Sequence, residues 1–164
     1  MSCTAVYATF FDASSLVKVY TSEQGSEIVR EYFDRQPTKY TTPFCFYEAL
    51  GVLKVKWRNR KVITHSQYLQ AAFELSAWYG ASSARIKDLD FASPTTFSEA
   101  RRLAEKTLLD LSDAFQILSV KTGYFAPLIG ESQTVLVTAD KSLAQAARGE
   151  GLRAWYFMDE PAPT

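Results

Sequence analysis

The chain has 164 residues, of which 47% are hydrophobic, 14% aromatic and 22% charged, and its 18 basic residues balance 18 acidic ones. That composition excludes a disordered or fibrous chain and suits one soluble globular domain. Zero net charge excludes a binder that holds nucleic acid by bulk charge, while leaving room for a local basic patch.

Residues 6–11, Val-Tyr-Ala-Thr-Phe-Phe, carry no charge and no clean alternation. That pattern predicts a strand covered on both faces, ending at Asp12. A short helix is predicted from Ser14 to Tyr20. Thr21 and Gln24 have the spacing of a capping box, and Ile28, Val29, Tyr32 and Phe33 form one stripe, so a helix is predicted over 22–34. Lys39 to Thr42 reads as a short strand. Pro43 follows a Thr cap and opens a helix that carries Glu48 and Leu50 to about Trp57. Thr64 and Gln67 form a second capping box, before a helix from His65 to Tyr79 that Gly80 ends. Arg85 to Leu89 is a weak strand candidate. Ser93-Pro94 starts a further helix, and Asp110 to Lys121 makes the next. Residues 134–138 read as a buried strand, Asp140 opens a short helix, and residues 153–157 form the last strand. The stretch 159–164 is expected to be a disordered tail.

Strands alternating with helices predict an α/β domain, a three-layer α/β/α sandwich with a central parallel sheet. The expected organisation is a single domain over 1–158. Two cysteines, Cys3 and Cys45, are too few for a disulfide framework and lack metal-ligand spacing. No signal peptide and no apolar run of membrane-spanning length is visible, so a cytoplasmic protein is the expectation.

Parallel sheets present functional groups at the carboxyl ends of their strands. Asp12 follows the first strand directly, and Asp140 follows the strand at 134–138. Asp113 lies in the first turn of one helix and Glu48 in the second turn of another. Four carboxylates in one crevice need a shared cation, and oxygen ligands suit Mg²⁺ or Mn²⁺. Each acid also has a structural account. Asp140 and Asp110 are good helix caps, Asp113 is favourable near a helix start, and Glu48 suits an exposed helix face. Lys54, Lys56, Arg58, Arg60 and Lys61 form the basic cluster, either a solvated helix end or a phosphate track for RNA. His65 offers no ligand set or triad, and no Gly-rich phosphate loop follows a strand.

Taken together, the acids and their neighbours carry a resemblance. Phe10-Phe11-Asp12-Ala13-Ser14-Ser15-Leu16-Val17, Thr42-Pro43 through Glu48, Leu111-Ser112-Asp113-Ala114-Phe115 and Val135-Leu136-Val137-Thr138-Ala139-Asp140 resemble, in order, four motifs of the PIN-domain ribonucleases. The likeness is strongest to the VapC-like toxins of toxin–antitoxin pairs and spans about residues 6–157. It implies a Mg²⁺- or Mn²⁺-dependent endoribonuclease whose metal site is Asp12, Glu48, Asp113 and Asp140. Ser14 and Thr138 would orient those carboxylates. It further implies an RNA substrate, a homodimer, no membrane, and a small antitoxin lying in an apolar groove drawn from Val19, Tyr20, Ile28, Tyr32 or Leu53. The chain departs from a minimal toxin in extra length near 57–80 and 121–132, and in a fifth acid, Asp110. A non-toxin ribonuclease of RNA processing, a silent interaction module and a small-molecule phosphohydrolase remain alternatives.

Overall fold

The computed structural model describes residues 8–82, 89–90, 92–123, 126 and 134–163. Among them, four strands and seven helices run in the order β1 (Ala8–Phe11), α1 (Ala13–Tyr20), α2 (Ser26–Arg35), β2 (Lys39–Tyr40), α3 (Pro43–Arg58), α4 (His65–Ser82), α5 (Pro94–Thr107), α6 (Leu111–Thr122), β3 (Thr134–Thr138), α7 (Lys141–Gly149) and β4 (Arg153–Tyr156). The strands form one all-parallel sheet in the order β2-β1-β3-β4. Helices cover it in a three-layer α/β/α arrangement, as the alternating sequence pattern predicts.

The registers explain why the central strands lack alternation. Phe10 lies between Tyr40 of β2 and Leu136 of β3, while Val137 faces both Phe11 and Trp155. Every residue of β1 and β3 is buried, as two covered faces require. Phe10 and Phe11 point to opposite faces. Phe11 meets Phe33 of α2 edge-on at 4.9 Å, and Phe10 meets Tyr40 at 5.3 Å.

Strand order fixes where the site must lie. From β1 the chain moves outward to β2, then crosses back to the other side of β1 to lay down β3. The switch point is therefore the gap between the carboxyl ends of β1 and β3, where connections leave in opposite directions and open a crevice.

Several local expectations change. The Thr21–Gln24 capping box does not form. The Thr21 hydroxyl turns back to the Val17 carbonyl at 2.8 Å, and α2 begins only at Ser26. Gly25 precedes it at φ +85°, packed so closely on Met158 and Phe157 that a Cβ there would stand 2.7 Å from the Met158 sulfur. The Thr64–Gln67 box does form, with reciprocal bonds of 2.8 and 3.1 Å. Helix α4 then continues through Gly80 to Ser82. The strand expected at 85–89 falls almost wholly outside the described residues. The stretch from 159 on, expected to be loose, is held against the domain at Glu160 and Ala162. Glu160 pairs with Arg148, its carbonyl accepts from the Trp155 indole at 3.0 Å, and Ala162 packs on the core. Tyr32 and Leu53 are core residues, whereas Val19 and Tyr20 line an open concavity of about 350 Å³ whose wall also carries Arg30, Gln67, Gln70 and Glu74 and so is largely polar rather than the apolar groove expected. No helix among the described residues is long and apolar enough to cross a membrane.

Leu136 stands at the centre of this packing, fully buried between β1 and β4. Leu136→Ala is expected to cost about 2–5 kcal/mol of stability, read as a lower urea midpoint with an unchanged slope.

Candidate active site

The switch-point crevice gathers the acids. Asp12 leaves β1 and caps α1, accepting the Ser15 N–H at 2.7 Å. It is 2% exposed. Two hydroxyls serve the same carboxylate. Ser14 Oγ lies 2.8 and 2.9 Å from its two oxygens, and Thr138 Oγ1, at the end of β3, donates to Oδ2 at 2.6 Å. Each hydroxyl has one hydrogen, and both hydrogens go to Asp12. The 3.3 Å approach of Ser14 to Thr138 is therefore a by-product of that shared acceptor. Both hydroxyl oxygens are in turn held by backbone N–H groups, Ser14 by Ala139 and Thr138 by Asp140, at 2.9 Å each. One network ties the end of β1 to the end of β3, and Ser14 and Thr138 orient Asp12 as expected.

Asp140 caps α7 by accepting from the Leu143 N–H at 3.0 Å. Asp110 caps α6, accepting from the Asp113 N–H at 3.0 Å and the Ser112 hydroxyl at 2.7 Å. The cap reading of Asp110 and Asp140 is thus correct, and it does not remove them from the crevice. Asp113 sits in the first turn of α6. Glu48 sits on α3, which starts at Pro43 behind the Thr42 cap. Cys45, one turn inward, is fully buried, and burial pushes its thiol up, which suits packing rather than nucleophilic chemistry.

Electrostatics shows how closely these acids stand. Asp113 is pushed up to about 7, first by burial and then by the charges of Asp110, Asp140, Asp12 and Glu48. Glu48 is raised by burial, then by Asp12 and Asp110. Asp12 is raised by burial against the opposing hydrogen bonds from Thr138, Ser15 and Ser14. Only Asp110 is lowered, by the Asp113 N–H and the Ser112 hydroxyl. None of the five forms an ion pair among the described residues.

Glu48 Oε2 is buried and has no hydrogen-bond partner among the described residues, and neither has Oε1 of Gln116. Gln116 is 2% exposed, and its Nε2 makes a long 3.5 Å contact with Asp113. The sequence reading passes over this residue. Its signal is a polar side chain one helical turn after Asp113, in a stretch that is otherwise apolar.

These donors fit a hard divalent cation. They are all oxygens, they carry excess negative charge, and one buried carboxylate oxygen lacks a partner. As they stand, no three or more His, Cys, Asp or Glu side chains among the described residues are grouped closely enough to hold a metal ion by themselves. An open set of this kind suits an ion that keeps several of its waters, as Mg²⁺ does.

The basic cluster does not act as one unit. Lys56 is only 14% exposed and pairs with Glu23 at 2.9 Å, so it fastens α3 to the turn before α2. Lys54, Arg58 and Lys61 are exposed. Arg60 is exposed as well, and it lines a shallow depression of about 360 Å³ on α3 together with Glu48, Gly51, Val52, Val55 and Lys56, of which Lys56 is the cation held by an ion pair. His65 and Tyr68 stack on Trp57 at 4.5 and 4.9 Å, which closes the far end of that helix.

No family model matches the chain, and no curated protein does. Among solved structures it is similar to PAE2754 from Pyrobaculum aerophilum, at 19% identity over 90% of each chain and a TM-score of 0.56. That likeness supports the α/β/α fold alone.

A carboxyl raised by folding binds a proton that the unfolded chain has released. Stability in the absence of metal therefore falls as pH rises from about 3.8, the ordinary value of Asp113, to about 7. Asp113 is only partly buried, so after solvent screening the loss is about 1–2 kcal/mol. Urea unfolding in EDTA at pH 5 and pH 8 measures it. Asp113→Asn is expected to flatten the dependence, and millimolar Mg²⁺ to restore stability at pH 8 in the wild type only.

Proposed function

We propose that the protein is a divalent-metal-dependent endoribonuclease, acting as the toxin of a toxin–antitoxin pair. The observation that carries the reading is the convergence of Asp12, Glu48, Asp113 and Asp140 on one crevice without a compensating cationic side chain among the described residues. The four motifs of the sequence resemblance contain these same four acids, which supports the reading. The fold of PAE2754 is compatible with the reading and adds nothing about activity.

On this reading Asp12, Glu48 and Asp113 hold Mg²⁺ or Mn²⁺, with Asp140 the less essential fourth acid, since a fourth acid can be dispensable in the family the motifs resemble. The ion, when bound, neutralises the crevice, activates water and offsets charge on a phosphodiester. The remaining work falls to the chain. Ser14 and Thr138 fix the Asp12 carboxylate and keep it an acceptor. The α1, α6 and α7 N-termini aim N–H groups at their capping acids, which lowers the cost of gathering negative charge. Asp113 holds a proton near neutrality while the crevice lacks a cation and gives it up when one arrives, so metal affinity rises with pH. A homodimer and a small protein inhibitor belong to the same proposal, as does action in the cytoplasm.

Purified protein with Mn²⁺ is expected to cut single-stranded or tRNA substrates at discrete sites. EDTA abolishes cutting, and Asp12→Asn or Asp113→Asn lowers it by about a hundredfold or more while the fold persists by circular dichroism. Activity confined to phosphomonoesters, with RNA left intact, would make the protein a small-molecule phosphohydrolase instead.

The split of the basic cluster gives a second expectation. Arg60→Ala, at the far end of the depression that Glu48 also lines, weakens RNA binding several-fold and lowers its salt dependence. Lys56→Ala leaves RNA binding nearly unchanged and costs about 0.5–1 kcal/mol of stability through the lost pair with Glu23. Filter binding across a salt series, beside thermal melts, separates the two.

A further inference from the structure

A second concavity shares a wall with the acidic crevice. It has a volume of about 280 Å³ and is lined by Phe44, Phe97, Ala100, Leu111, Ser112 and Phe115. Its floor is closed, since Ala100 and Phe115 are buried, while Phe97 and Leu111 are 51% and 42% exposed at the rim. Phe44 and Phe115 stand 6.0 Å apart, with their ring planes tilted by 53°.

Its position follows from two helices that also build the acid site. Phe44 lies one turn before Glu48 on α3. Leu111 and Phe115 lie on the flank of α6 turned away from Asp113, and Ser112 lies between the two flanks. Ser112 lines the pocket and donates its hydroxyl hydrogen to Asp110 at 2.7 Å. One side chain thus separates the aromatic pocket from the carboxylates.

We propose that this pocket holds one unstacked nucleobase of the RNA strand whose backbone crosses the acidic crevice. The inference rests on the ribonuclease reading and adds to it the means by which a neutral protein grips a polyanion at an acidic site. Phe97 at the rim and Phe44 on the wall provide faces on which a base stacks, above the buried floor of Phe115. The volume lies at the small end of ligand sites, which suits one ring system rather than a helix. A stable interface between copies needs about 800 Å² from each partner, far beyond what a pocket of this size offers alone. Ser112 is the one polar side chain in the lining, and its hydrogen is already committed to Asp110. The pocket therefore offers no side-chain donor to read a base edge, and its preference among bases is the modest one set by stacking strength.

The test uses the full chain and short single-stranded RNAs with 2-aminopurine placed at successive positions, bound in Ca²⁺. Phe97 is half-exposed, so Phe97→Ala is expected to fold, and circular dichroism verifies that. The wild type should change 2-aminopurine fluorescence at one position. Phe97→Ala should lose that change and bind about tenfold more weakly, with Phe97→Trp restoring both. Replacing that nucleotide by an abasic one should weaken the wild type and leave Phe97→Ala unaffected. Equal binding and fluorescence in Phe97→Ala overturns the inference. So does a shift from dimer to monomer in sedimentation with RNA binding unchanged, which assigns the pocket to a contact between copies. The two proposals fail separately. RNA cutting in Mn²⁺ with no effect of Phe97→Ala leaves the ribonuclease and removes the base pocket. The expected fluorescence pattern with no cutting of any RNA leaves the pocket and removes the ribonuclease.

Discussion

The architecture turns on a crowd of carboxylates at the one place where a parallel sheet opens. Three helices begin around that crevice, and each begins with an aspartate: Asp12 for α1, Asp110 for α6 and Asp140 for α7. In each, one oxygen, Oδ1, accepts the N–H of the first turn. Capping consumes one oxygen of a carboxylate and leaves the other. The same residue types that start helices therefore deliver acid to the site. The helix N-termini offset part of the repulsion, each by a fraction of a charge within its first turn. That compensation is incomplete, because Asp113 is still driven to about 7 and Glu48 keeps a buried oxygen with no partner among the described residues.

Asp12 is the most constrained member of the set. It is buried, which penalises its charge, yet the three groups that reach it from Ser14, Ser15 and Thr138 donate hydrogens, which favours that charge. A carboxylate has about four acceptor positions, and these bonds fill three. The arrangement fixes the orientation of the group and leaves one direction open. It also joins β1–α1 to β3–α7 across the switch point through hydrogen bonds between residues 125 and 126 positions apart, Ala139 to Ser14 and Thr138 to Asp12. Local helix capping and long-range closure of the crevice are one network.

Much of this was legible in the chain itself. Uncharged, non-alternating strands announced a sheet covered on both faces, and Asp12 and Asp140 were placed at strand ends by pattern alone. The capping box at Thr64 formed and the one at Thr21 did not, although both have the same spacing. The difference is tertiary. Gly25 must pass under Phe157 and Met158, and that contact sets the start of α2 regardless of local capping preference. The basic cluster misled for a related reason. Five cations within eight residues look alike in sequence, but Lys56 is held by Glu23 while Arg60, on the same depression, is exposed and in no ion pair among the described residues. Gln116 escaped notice because a single amide in an apolar helix face has no period to reveal it. The fifth acid, Asp110, was read as a cap, and it is one. Its second role as a source of repulsion on Asp113 and Glu48 needs the fold to be seen.

A site built this way faces a difficulty when its substrate is itself an anion. The crevice repels phosphate until a cation occupies it, and the chain as a whole has no charge surplus with which to attract RNA. On the ribonuclease reading, binding energy must then come from groups beside the acids. Two stand within one helical neighbourhood of Glu48. Arg60 supplies charge at the far end of the depression on α3, and the Phe44–Phe97–Phe115 pocket supplies aromatic surface on the near side. Stacking is insensitive to salt, whereas phosphate contacts weaken steeply with it. An enzyme that relies on one cation, one arginine and one base pocket holds its substrate at a few points rather than along a track. Its selectivity then follows from where an unpaired base and a bendable backbone occur together, which favours the loops of folded RNA over uniform duplex.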